Sequence, residues 1–133
     1  METKPILRWL MLLLFGILLI GCAIGYVSET STLMEKPFAV QTMRGDITEA
    51  TRCVGRYWQK SAIQMGAMWN VYTDSYEVRV QGPGGGVPPV GLVIVFDDID
   101  GKTVARAHVH RIFPETDPRR TVTLKALDAC SLR

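Results

Sequence analysis

The polarity of this chain changes in blocks. Residues 9 to 21 read WLMLLLFGILLIG without a charge, after a short segment in which Lys4 and Arg8 outnumber Glu2. A basic start followed by an apolar run of this size is the pattern of an export signal. It keeps Lys4 and Arg8 in the cytoplasm and carries the C-terminal part across the membrane. The uncharged stretch continues past Cys22 through AIGYV to Val27, about 28 Å as a helix and close to the thickness of a bilayer core. Residues 28 to 45 show no consistent period and contain Pro37 and Gly45. They read as a tether, roughly 23 Å across as a flexible coil and about 60 Å if fully extended.

Periodicity begins at Asp46. Asp46-Ile-Thr-Glu49 has the form of a helix start, a polar cap three residues before a glutamate. Ile47, Ala50, Val54, Tyr57 and Trp58 then share one face with Cys53 beside them, while Arg52, Arg56 and Lys60 form a basic stripe on another. The pattern then shifts to strands. AMWNVYT (67–73) is rich in aromatic and β-branched residues. SYEVRVQ (75–81) alternates, with Tyr76, Val78 and Val80 opposite Glu77, Arg79 and Gln81. A Gly/Pro loop, GPGGGVPPVG (82–91), precedes LVIVF (92–96), whose unbroken apolar run predicts a central strand. Asp100-Gly101 is a hairpin signal leading into TVARAHVHRIF (103–113). A last helix is expected after Asp117-Pro118, with Leu124, Leu127 and Cys130 facing inward.

The expected fold class is therefore α+β, a four-stranded antiparallel meander between an N-terminal and a C-terminal helix, α-β-β-β-β-α. The domain boundaries are a signal segment over 1–21, or a transmembrane anchor over 6–27; a tether over 22–45; and a small domain over 46–133. The 133 residues allow one domain. Setting aside Lys4, Arg8 and Glu2 leaves 13 basic against 12 acidic residues from Cys22 onward. That balance gives no reason to expect a nucleic-acid partner or a polybasic membrane-surface segment.

Leu19-Ile20-Gly21-Cys22 resembles the lipobox of bacterial lipoproteins, with Leu three before the cysteine and a small residue directly before it. The resemblance implies cleavage before Cys22, acylation of its thiol and new N-terminus, and anchorage in the cell envelope facing the periplasm. Ala23 in place of Asp points, by the sorting rule of that family, to the outer rather than the inner membrane. The continued apolar run to Val27 departs from the family pattern and keeps an uncleaved, single-pass signal anchor open. With Cys22 lipidated, Cys53 and Cys130 are left as a possible disulfide pair, or as two buried free thiols. A bond between them would close a loop of roughly 78 residues, worth about 4 to 4.5 kcal/mol of chain entropy. The domain also resembles, loosely, small uncharacterised proteobacterial periplasmic lipoproteins, in which an Ala-x-x-Cys helix (here Ala50 and Cys53) and a C-terminal cysteine (here Cys130) bracket a four-stranded sheet. That resemblance implies no chemistry.

Candidate chemistry is sparse. His108 and His110 lie two apart on a predicted strand and can point to one face, so a metal or small-ligand site is one expectation, although a closed site needs about four ligands. Asp98-x-Asp100-Gly101 lacks the ligand spacing of a calcium loop, and Gly82–Gly86 has no Gly-Lys-Ser/Thr after it. No nucleophile motif is present, and nothing singles out Glu77 or Asp97 as a general acid. No cofactor is expected. If both helices cover one sheet face, the strand 92–96 presents an apolar stripe on the other, flanked by Glu77, Arg79, Arg106, His108 and His110. That open face is the expected partner surface. The leading expectation is a membrane-anchored envelope protein that binds or scaffolds an envelope partner and is not an enzyme.

Overall fold

The computed structural model describes residues 3–24, 27–84 and 90–133, with side chains over 4–15 in the N-terminal helix. The element order is α1 (Thr3–Ile24), α2 (Glu29–Leu33), β1 (Ala39–Thr42), α3 (Ile47–Met65), β2 (Asn70–Thr73), β3 (Glu77–Gln81), β4 (Val90–Ile99), β5 (Lys102–Val109) and α4 (Pro118–Ala129). The strands form one antiparallel sheet in the order β1-β5-β4-β3-β2. The architecture is α+β. The meander β2-β3-β4-β5 corresponds to the four predicted strands, although the first begins only at Asn70, after the turn at Gly66 that ends α3.

Three local signals act as the sequence suggests. The Asp46 carboxylate accepts a hydrogen bond from the Glu49 amide at 2.8 Å and starts α3. At the β4–β5 turn, Asp100 and Gly101 both hold left-handed conformations, with φ of 53° and 78°, which suits the twist of a tight hairpin. Asp117 caps α4 and Pro118 occupies its first turn.

One sheet face packs against α3 and α4. Val78, Val80, Leu92, Ile94, Phe96, Ala105, Ala107 and Val109 are buried there with Val54 and Trp58 of α3 and Leu127 of α4. The small residues Ala105 and Ala107 let the helices approach β5. Trp58 is fully buried, and its indole N–H donates to the Thr123 hydroxyl at 3.1 Å. That bond fixes the register of α4 and corrects one expectation. Thr123, Ala126, Leu127 and Cys130 face inward, while Leu124 is exposed. Tyr76 is exposed, unlike Val78 and Val80, although its carbonyl accepts from the Phe96 amide at 2.9 Å.

The segment expected to be a tether is corrected more substantially. From Val27 onward it is folded. Ser28 and Ser31 form a reciprocal capping box on α2. β1 pairs along β5, with Ala39 opposite Ala107 and Thr42 opposite Val104, so the sheet has five strands rather than four. The added strand satisfies the edge of β5, which would otherwise carry unpaired backbone groups. α2 packs over β4 and β5 on the face away from α3 and α4, so β4 is buried on both sides, and Val93 and Ile94 are both fully inaccessible.

Candidate functional site

The sheet face expected to be open is closed by residues 27–38. The Thr32 hydroxyl donates to the Val90 carbonyl at 2.7 Å, and Glu29 pairs with Arg79 at 3.5 Å. His108 Nδ1–H donates to the Glu35 carbonyl at 2.8 Å. Val93, Glu77 and His108 are all buried beneath this cover. The partner surface predicted around Glu77, Arg79 and Arg106 is therefore overturned at its centre. Arg106 alone of the three keeps substantial exposure, and it pairs with Asp97.

The cover creates an electrostatic cluster that the sequence did not suggest. Arg79 lies within 3.5 Å of Glu29, 3.2 Å of Asp74 and 3.4 Å of Glu77. Burial pushes the Glu77 carboxyl up, a shared hydrogen bond with Glu29 and its charge push it further, and Arg79 pulls it back, leaving it at about 7. Glu29 and Asp74 add to the rise that burial begins, because one guanidinium cannot fully compensate three carboxylates. Glu77 sits in the interface between the N-terminal segment and the sheet, so its proton belongs to the holding of that segment.

The two histidines do not converge on a ready-made site. His108 is committed to Glu35, and His110 Nδ1 accepts from the Ile112 amide of its own turn at 3.3 Å. Among the described residues no group of three or more His, Cys, Asp or Glu side chains gathers to hold an ion. Cys22 lies in the part of α1 outside the described side chains. Cys53 and Cys130 form a disulfide, with their Cα atoms 6.0 Å apart, tying α3 to the end of α4.

Beside that disulfide runs a groove of about 430 Å³, lined by Glu49, Arg52, Arg56, Tyr57 and Lys60 of α3 and by Ala129 and Cys130 of the α4 terminus. The four-residue spacing of Arg52, Arg56 and Lys60 puts all three cations along its wall, against the one carboxylate of Glu49. Among the described residues none of the three has an acidic partner within ion-pair distance. The groove is a surface with unspent positive charge.

A second cluster was not legible in the sequence. Arg119 is 1 % exposed, paired with Asp117 at 3.0 Å, and donates to the Pro83 carbonyl at 2.8 Å. Its guanidinium stacks over Phe113 at 3.7 Å and over Trp69 at 4.8 Å. Burial lowers its pKa from the ordinary arginine value, and Asp117 opposes that fall. A Cβ at Gly82 would collide with the Trp69 ring, at 2.6 Å, which is why glycine stands where the Gly/Pro loop begins. Residues 85–89 of that loop lie outside the described residues. Arg119 thus staples the loop's base to α4. No local pattern marks it, because apart from Asp117 its partners Trp69, Pro83 and Phe113 come from outside its helix.

Comparisons with protein-family models, with curated proteins and with solved structures gave no match to this chain.

Proposed function

We propose that this is a membrane-anchored envelope lipoprotein, held at Cys22 and facing the periplasm, that works by binding or scaffolding and not by catalysis. The observation that carries the reading is the condition of α1. Ile6, Leu7 and every residue from Trp9 to Phe15 are exposed, and none belongs to the core. A helix that is apolar all round and excluded from the core belongs in a lipid phase or an export channel. Among the described residues no helix is long and apolar enough to cross a membrane. The Leu-x-Gly-Cys spacing supports lipid attachment, and Ala23 leans the anchor toward the outer membrane. The disulfide supports an oxidising compartment.

Binding is favoured over chemistry by where the perturbed groups lie. Among the described residues Glu77 and Arg119 are the ones clearly shifted, and both are engaged in holding segments in place. With the second sheet face covered, the basic groove beside the disulfide becomes the contact surface for an envelope protein partner. The metal reading through His108 and His110 is not carried forward, since among the described residues no group of three or more His, Cys, Asp or Glu side chains gathers to complete a site. A second form of the anchor, an uncleaved single-pass segment, rests on the uncharged run that continues past Cys22 to Val27.

Intact-mass analysis of the chain extracted from membranes, beside a Cys22→Ser variant, tests the proposal. The expected result is a chain beginning at Cys22 with added acyl mass, absent in the variant. A membrane chain retaining residues 1–21 selects the single-pass form. A chain recovered without acyl mass in the soluble fraction overturns both.

A further inference from the structure

Anchoring and fold together restrict where the domain can stand. Val27 is 4 % exposed and part of the core, and Ser28 already caps α2. Only residues 23–26 separate it from Cys22. Even fully extended, the chain from Cys22 to Val27 spans about 17 Å. The reach expected of a long tether is therefore lost, and Val27, where the folded 27–38 segment begins, is held within about 17 Å of the anchored Cys22.

The surface at that point has the composition of an interfacial contact. Leu33, Met34 and Ile112 are exposed at 37 %, 83 % and 50 %. Arg111 Nε lies 3.8 Å from Glu35 Oε1, which brings the turn after β5 against the end of α2. Arg111 and Lys36 remain largely exposed beside the apolar side chains. Apolar residues rimmed by cations suit the headgroup boundary, where the side chains gain burial and the cations meet lipid phosphates.

We propose that the outer surface of the 27–38 segment, with the turn carrying Arg111 and Ile112, lies flat on the anionic lipid surface in which the protein is anchored. This rests on the N-terminal anchoring proposed above. The domain is then a membrane-apposed module whose cover over β4 is also its lipid-facing side. The basic groove, built from α3 and α4 on the opposite sheet face, stays accessible to a partner.

The test uses the full chain as purified from membranes, reconstituted into vesicles of phosphatidylethanolamine and phosphatidylglycerol with and without brominated acyl chains. Tryptophan reporters are placed at exposed positions, Met34→Trp and Ile112→Trp, with Ile63→Trp on α3 as the far-side control. The wild-type signal is subtracted. The expected result is at least about a twofold loss of reporter emission at positions 34 and 112 in brominated vesicles, with little change at 63. Equal emission at all three positions in a chain that co-floats with the vesicles overturns the apposition and leaves the anchor standing. Failure of the chain to co-float removes the anchoring reading and the apposition with it.

Discussion

Glu77 alternates with Arg79 and Gln81 on the polar side of its strand, and a free strand would give it to solvent. The folded chain buries it beside Glu29 instead, and the physical consequence is measurable. Its pKa rises from an ordinary carboxyl value to about 7, so the folded state binds a proton that the unfolded state has already released between pH 4.5 and about 7. Stability from this group is therefore fully present below the unfolded value and falls as pH rises toward 7, with no further change above it. Glu77→Gln should flatten the pH dependence of urea-unfolding stability across this window. It should also be more stable than the wild type at pH 8, because it keeps the hydrogen bond to Glu29 without the charge. A wild-type stability that does not decline between pH 5 and pH 7.5 would contradict this account. Arg119 makes a related point. Its sequence position after Asp117-Pro118 shows a helix start, whereas its role as the staple of Gly82 and Pro83 comes from rings contributed by Trp69 and Phe113.

At the scale of elements, α3 and α4 are joined twice, by the Trp58–Thr123 hydrogen bond and by the Cys53–Cys130 disulfide. The bond closes most of the domain into one loop, its ends 77 positions apart in sequence. Replacing both cysteines by alanine should lower unfolding stability by roughly 2–5 kcal/mol. Chemical denaturation under non-reducing conditions measures it, and a double variant as stable as the parent would mean that the helix contacts suffice alone. The helices and the meander were legible because their signals are local. Asp46 reaches Glu49 three residues on, Asp100-Gly101 turns within a hairpin, and Val78 and Val80 alternate along one strand. α2 and β1 were not legible because each is short and takes its stability from partners far along the chain, Thr32 from Val90 and Ala39 from Ala107. Leu124 was misplaced for a similar reason: the face that α4 presents is set by where Trp58 finds Thr123, and not by the apolar pattern of the helix itself.

At the scale of the whole molecule, the folded unit begins at Val27 and not at Asp46. A chain beginning at Asp46 would lack β1 and α2, leaving Val93 uncovered and the edge of β5 unpaired. Such a chain should aggregate or melt without cooperativity, whereas one beginning at Val27 should be monomeric with a sharp transition. Size-exclusion chromatography with thermal circular dichroism separates the two outcomes. A chain over 46–133 that behaves like the longer one would show that the cover is dispensable. The sequence by itself determined the fold class, the capped helices and the four meander strands. Each of these follows from residues close in sequence. Only the tertiary structure decided that the presumed tether is a strand and a cover, that the second sheet face is closed, and that the basic stripe lines a groove beside the disulfide. Those outcomes depend on contacts between distant segments, formed once the sheet exists to receive them, and no spacing along the chain encodes them.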